Sequence, residues 1–322
     1  MVPPLSLATP FLLAPMAGLS TAGVRALCLE LGAGAASTGL VDAEGLRRGS
    51  PGSLRRASTL PHPRPQILQL FAARVEDLAP AVARAAELGF QGVELNLGCP
   101  AGPIVGRGCG AALMGRWPEL RGLLAALRAA TELPAGLKCR SGRRPGDGEY
   151  LVVHELAAEA GLDWFCLHPR SVAGGYDEPP DWNLLELLPA DGPRLWAVGG
   201  LGDAAEARAA LAAHPALEAV LIGRAALGAP WIFAECLGGA TPSLAERAGL
   251  LARLLHALAA DLDWQEARRV LPVLLERFGL PEDEDAQFRL ADRRRAAQWR
   301  ARLEERLAAG PLPALEDNPL LR

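Results

Sequence analysis

The sequence predicts an α/β fold, a (β/α)8 TIM barrel followed by a small C-terminal all-helical domain. Three observations carry that expectation. Eight short apolar runs alternate with Ala/Leu-rich helical stretches between residues 11 and 235. Groups able to do chemistry recur where those runs end. After "LGGATPSLAERAG", a Gly/Pro/Ser punctuation with a helix start at Ser243, the pattern turns helical and charge-rich without strand signals. The expected division is a barrel over residues 1–240 and a helical domain over 241–322. A chain of 322 residues has room for one barrel of about 250 residues and a smaller unit.

The first expected strand, residues 11–16, leads into Ala14-Pro15-Met16-Ala17-Gly18. The second is short, over 35–39. The third, 66–71, carries Gln69 in "ILQLF", and a helical pattern follows over 75–88. The fourth, 92–97, ends in "ELNLGCP", where an alternating strand runs into a turn bearing the Asn96 amide and the Cys99 thiol. Cysteine is usually a small core filler, yet Gly98 and Pro100 place this one at a strand tip. A helical pattern over 117–130 leads to the fifth strand, 136–140, which delivers Lys138 and Arg140 in "GLKCR". After a helix over 150–160, the sixth strand, 164–168, delivers His168 and Arg170 in "CLHPR". The seventh, 195–199, ends in "AVGGLGD"; a helix over 204–213 precedes the eighth, 219–223, ending in "LIGRAAL". Several runs are apolar throughout, as parallel strands covered on both faces should be. In such barrels functional groups gather at the carboxyl ends of the strands, and the last two loops commonly hold a phosphate on glycine amides. Gly199, Gly200, Leu201 and Gly202, with Gly223 and Arg224, suit that role.

Half of the residues are apolar (50%) and 22% are charged, which excludes a disordered chain. A net charge of −4 gives no global basic field for nucleic acid. Local arginine clusters occur at Arg47, Arg48, Arg55, Arg56 and Arg64, at Arg140, Arg143 and Arg144, and at Arg293, Arg294, Arg295, Arg300 and Arg302. As sequence alone, each reads first as a solvated face. The composition leans so strongly to Ala, Leu, Gly and Arg that rare types stand out. Lys138 is the one lysine, and Asn96 is one of three asparagines. A lone lysine at a strand tip points to a need for a compact ammonium. The six cysteines, Cys28, Cys99, Cys109, Cys139, Cys166 and Cys236, form no CxxC pair and no zinc spacing. Free thiols, no metal and a cytoplasmic location follow as expectations. No signal-peptide pattern and no run of about 20 apolar residues is present, so no membrane partner is expected.

The stretches "LAPMAGLS", "QLFA", "VELNLGCPAGPIVGRGCGAALM", "GLKCRSG", "CLHPRSVAGGY" and "VLIGRAALGAPWIF" resemble the successive motifs of tRNA-dihydrouridine synthases, in that family's order and at its spacings. The resemblance implies an FMN-bound barrel, a helical tRNA-binding domain, and reduction of the uracil C5=C6 bond at a D-loop uridine of tRNA with NADPH or NADH as reductant. Carried over by residue, it implies that Pro15, Met16 and Ala17 line the flavin. Gln69 and Lys138 would hydrogen-bond its ring, where an ammonium near the N1–C2=O edge favours the anionic reduced form. His168 would lie against it, and Gly199, Gly200, Leu201, Gly223 and Arg224 would hold its phosphate. Cys99 would be the proton donor to C5, a role suited to a thiol of pKa near 8.5, with Gly98 clearing space for the base. Asn96, Arg140 and Arg170 would lie near the target base. A base stacked inside folded tRNA must be extruded to react. The Arg-rich tail with Trp299, and Arg143 and Arg144, would contact phosphates. A monomer is expected.

Three positions depart from the family's pattern. Gly199-Gly200-Leu201 stands where Asn-Gly-Asp/Glu is usual, Ala101-Gly102-Pro103 stands where a lysine is common, and Glu94 stands where aspartate is frequent. Two other readings remain open on the residues. One is an FMN-dependent barrel oxidoreductase acting on a free small molecule, in the manner of dihydroorotate or dihydropyrimidine dehydrogenases, which needs no Arg-rich tail. The other is a non-catalytic RNA-binding relative, which would bind no flavin.

Overall fold

The structure, a computed structural model, describes residues 5–261 together with residues 305 and 308. Its strands are β1 (Phe11–Leu13), β2 in two pieces (Ala36–Ser37 and Val41–Asp42), β3 (Gln66–Phe71), β4 (Gly92–Asn96), β5 (Ala135–Arg140), β6 (Trp164–His168), β7 (Arg194–Val198) and β8 (Leu217–Ile222). All pairings are parallel. The ring closes where Phe11, Leu12 and Leu13 of β1 pair with Val220, Leu221 and Ile222 of β8. The expected eight-stranded barrel is therefore observed, with two local differences at its start. β1 stops at Leu13 because Pro15 has no N–H to continue the ladder. β2 breaks around Gly39, where a Cβ would stand 2.7 Å from the carbonyl oxygen of Met16. Only glycine lets the two backbones approach so closely, and the strand resumes at Val41.

The helices are α1 (Ala22–Glu30), α2 (Ala43–Arg47), α3 (Pro51–Arg56), α4 (Val75–Ala83), α5 (Gly102–Val105), α6 (Trp117–Ala129), α7 (Glu149–Glu159), α8 (Ala204–Ala213), α9 (Arg224–Gly228), α10 (Ile232–Cys236) and α11 (Leu244–Asp261). Side-chain caps start several of them: Thr21 accepts from the Val24 N–H, and Asp203 from the Glu206 N–H. In α6 the buried residues Leu120, Leu123, Leu124 and Leu127 recur at helical spacing and face the sheet. The expected helix over 75–88 is shorter, and the crossover from β6 to β7 carries a 3-10 turn, Trp182–Leu187, instead of an α-helix.

Two apolar layers result. One fills the space between strands and helices, and α11 joins it through Ala248, Leu251, Leu254, Leu255 and Leu258. Gly23 of α1 lets α11 lie close, and its N–H donates to Asp261 Oδ2 at 2.7 Å. The second layer plugs the barrel interior with Leu12, Ile67, Trp164, Cys166, Trp196 and Leu221. Trp164 and Trp196 stack there with centroids 4.8 Å apart and planes 15° apart. Toward the carboxyl mouth the interior becomes polar, with Gln69, Glu94, Asn96, Lys138, Arg140 and His168 all buried.

Several arginines of the clusters are tied to the barrel. Arg47 pairs with Asp77 at 2.9 Å, Arg48 with Glu44 at 2.7 Å and Arg143 with Glu149 at 2.6 Å. Arg64 donates to the carbonyls of Leu29 and Ala33. Arg293, Arg294, Arg295, Trp299, Arg300 and Arg302 lie outside the described residues. Among the described residues no helix is long and apolar enough to cross a membrane, and no cluster of His, Cys, Asp and Glu suits a metal ion.

Candidate active site

The carboxyl mouth holds a cavity of about 210 Å³. Ala14, Pro15 and Met16 from the end of β1, with Val198 and Leu221, supply apolar lining. Lys138 from β5 and His168 and Arg170 from the end of β6 supply polar groups. Gly199, Gly200, Leu201 and Gly202 after β7, with Gly223 and Arg224 after β8, complete it. Nearly all of the expected cofactor residues therefore meet at one cavity; the exceptions are Ala17, which is exposed, and Gln69, which lies buried outside the lining.

The departure at residue 199 has a local counterpart. A Cβ on Gly199 would stand 3.1 Å from Pro180 Cβ and 3.3 Å from His168 Cδ2. A Cβ on Gly200, whose φ is +70°, would meet Pro180 Cγ at 3.1 Å. Pro180 closes over the space that side chains on this turn would need, so polar contacts from the turn come from its backbone.

The β6–β7 loop also supplies Tyr176, which the sequence reading did not single out. Its ring lies 4.8 Å from the Arg224 guanidinium carbon, 5.4 Å from that of Arg140 and 5.8 Å from that of Arg170. Tyr176 is one of two tyrosines in the chain, a rarity comparable to that of Lys138. Glu178 folds the loop, accepting from the Ser171 N–H and Oγ–H at 2.7 Å each.

Cys99 sits half-buried on the turn after β4; the other five cysteines are buried. Its N–H and that of Gly98 donate to Asn96 Oδ1 at 3.0 and 3.2 Å. The Cys99 carbonyl accepts from the Ala111 N–H at 3.1 Å. Gly110 passes so close that a Cβ there would lie 2.8 Å from that carbonyl oxygen. Burial pushes the Cys99 thiol up, against the Ala101 amide and the nearby charges of Arg140 and Lys138. It is a thiol, not a thiolate, at neutral pH.

A Cβ on Gly98 would stand 3.4–3.5 Å from the Cys139 carbonyl carbon and Arg140, ordinary van der Waals distances, so packing against β5 does not itself require glycine here. Arg140, 2% exposed, uses its guanidinium on backbone carbonyls: Nε donates to Gly98 at 3.2 Å, and Nη1 to Ser171 and Gly175 at 2.8 Å. It bolts the Cys99 turn to the Tyr176 loop.

His168 is held well below its ordinary value, first by burial and then by the cations Lys138, Arg140, Arg170 and Arg224. Arg170 Nη1 faces His168 Nε2 at 3.4 Å. Arginine can only donate, so Nε2 accepts and Nδ1 carries the proton. The unfolded chain binds a proton at this residue below about pH 6.5 while the folded chain does not, so the folded state loses stability as pH falls through that value. The flavin-free protein should therefore show a melting temperature that drops between about pH 6.5 and 5, and His168→Asn should flatten that drop. Parallel slopes for the two proteins would refute the neutral assignment.

A closed parallel barrel whose cations, glycine turns and a protonated thiol converge at the carboxyl mouth defines a (β/α)8-barrel enzyme. The chain belongs to the dihydrouridine synthase family, whose model matches residues 12–302. It is 32% identical over 225 residues to tRNA-dihydrouridine synthase B of Pseudomonas syringae pv. tomato, covering 70% of this chain and 66% of that protein. The chain thus spans just under two thirds of that relative's length. It is 29% identical to tRNA-dihydrouridine synthase B of Xanthomonas axonopodis pv. citri over 98% of both chains. A solved 2-naphthoyl-CoA reductase complex shares the fold alone, with a TM-score of 0.58 at 13% identity over 72% of this chain and 50% of that one.

Proposed function

We propose that the chain is a tRNA-dihydrouridine synthase, an FMN-dependent oxidoreductase that uses NADPH or NADH to reduce the C5=C6 bond of uridine in tRNA. The observation that carries this reading is the neighbourhood of two unlike features at one mouth, a cavity with cations and glycine turns and a protonated thiol on the next turn. The donor set suits a flat ring with an anionic tail: apolar lining from Pro15 and Met16, one compact ammonium, and glycine amides beside Arg170 and Arg224. Lys138 and His168 would hold the ring, and the turns at Gly199 and Gly223 with Arg224 the phosphate. When bound, reduced FMN supplies a hydride to C6 of the base.

The remaining chemistry falls to the chain's own residues. Cys99 holds, at Sγ, the proton that C5 receives, and the upward shift of its pKa keeps that proton in place at neutral pH. Asn96 fixes the backbone of the Cys99 turn, and Arg140 clamps the same turn from the other side. Arg170, which lines the cavity, would meet the substrate. Residues 241–322 would form the tRNA-docking domain, with the basic tail on phosphates. A D-loop uridine as target, a monomeric enzyme and a cytoplasmic setting belong to the same proposal.

The test is direct. The purified protein should carry FMN, oxidise NADPH, and introduce dihydrouridine into tRNA lacking it, as read by mass spectrometry. Free uracil or uridine as an equal substrate would favour a small-molecule oxidoreductase, and absence of flavin a binding protein. Lys138→Ala is expected to weaken FMN retention about tenfold, the scale of one charge-assisted hydrogen bond. Retention and reduction at wild-type level would remove Lys138 from the site.

A further inference from the structure

Beneath the Cys99 turn runs a chain of hydrogen bonds that ends on a buried carboxylate. Asn96 Oδ1 accepts from the N–H groups of Gly98 and Cys99. Asn96 Nδ2 donates to Gln69 Oε1 at 3.0 Å, and Gln69 Nε2 donates to Glu94 Oε1 at 2.6 Å. Glu94 Oε2 accepts from the Trp164 indole N–H at 2.9 Å. Glu94 is fully buried, and Gln69 and Asn96 nearly so.

Both ends of this chain are obligate donors. A backbone N–H and an indole N–H can only donate. At the upper end, Asn96 must present its oxygen to Cys99, which leaves its NH2 for Gln69. Gln69 must then present its oxygen upward and its NH2 downward. At the lower end, Trp164 requires an acceptor. Residue 94 must therefore accept at both of its polar atoms, which a carboxylate does and an amide does not. Burial raises the pKa of this carboxyl group, while the two donors and the nearby charge of Lys138 act to keep it ionised.

We propose that Glu94 is a positioning residue for the Cys99 turn, setting the orientation of the Gln69 and Asn96 amides and through them the hydrogen bond to the Cys99 backbone. The inference rests on the role proposed for Cys99 and deepens it. In Glu94→Gln, an oxygen turned to Trp164 puts an NH2 against Gln69. Gln69 and then Asn96 must flip, and Asn96 meets the Cys99 N–H donor to donor. A single exchange of oxygen for nitrogen is thereby relayed through two amides to the strand tip.

The relay also predicts its own rescue. In Glu94→Gln with Gln69→Glu, the carboxylate moves one place up the chain. It accepts from the introduced amide below and from Asn96 above, while the oxygen of that introduced amide accepts from Trp164. Every donor again has an acceptor.

The readout is the rate of Cys99 alkylation by iodoacetamide in flavin-free protein, followed by mass spectrometry of the Cys99 peptide; the other five cysteines are buried. Glu94→Gln should raise that rate about tenfold, the scale of one lost buried hydrogen bond. The exchanged pair should return it to within about twofold of wild type. Gln69→Met, which leaves the Glu94–Trp164 bond intact and cuts the relay in its middle, should raise the rate likewise and decides the matter if Glu94→Gln does not fold. Wild-type rates in the single variants, or a raised rate in the exchanged pair, would overturn the proposal. Failure of the underlying role looks different: Cys99→Ala would then still reduce tRNA uridine, whatever the alkylation rates.

Discussion

Cys99→Ala is expected to lower dihydrouridine formation in tRNA by about 10²–10⁴-fold, the contribution a positioned general acid makes. The thiol combines partial exposure with a proton it keeps at neutral pH. Cys99→Ser should fall nearly as far, because a hydroxyl fits the same turn but releases its proton far less readily. The measurement is single-turnover reoxidation of the reduced enzyme by tRNA, with dihydrouridine counted in the product. Loss confined to this half of the cycle, with NADPH oxidation retained, separates a missing proton from a collapsed site. A Cys99→Ala enzyme as fast as wild type would take the sulfur out of the chemistry.

Gly136→Ala is expected to cost about 3 kcal/mol of folding stability, at the upper end of what overpacking a core does. A Cβ at this position would stand 2.3 Å from Trp164 Cδ2 and Cε2 and 2.5 Å from its Nε1. The indole cannot step aside cheaply, since one face stacks on Trp196 and its N–H donates to Glu94. Gly122→Ala supplies a contrast of opposite sign: this glycine lies in α6 with open space around it. Removing backbone freedom there should stabilise by up to about 1 kcal/mol. Thermal or urea unfolding of the two variants reads both. Equal stability of Gly136→Ala and wild type would mean that the tryptophan is not held where the structure places it.

The barrel was legible because its strands are apolar runs with punctuation, and each expected run overlaps an observed strand. The rim was legible for a related reason. Lys138, His168 and Gly199 to Gly202 stand at strand ends, and strand ends fall on one side of a closed parallel ring. Three features were hidden. The carbonyls that Arg140 binds come from neighbouring turns, which no local spacing reveals. Tyr176 comes from a loop whose course is set by Glu178, Ser171 and Arg140, residues distant in pattern though close in space. Glu94 looked like a mild exchange for aspartate because its importance lies in its being a double acceptor, a property of its two partners.

Closure of the ring also bears on how the chain is made. β1 finds its β8 partner only once Leu217–Ile222 exists, and the Gly23 amide meets Asp261 later still. On a ribosome adding about 5–20 residues per second, that is a wait of about 10–40 s after β1 is synthesised. Through that interval the nascent chain carries an unpaired apolar edge. Its vulnerable period includes its own translation, when that open edge can pair with another chain.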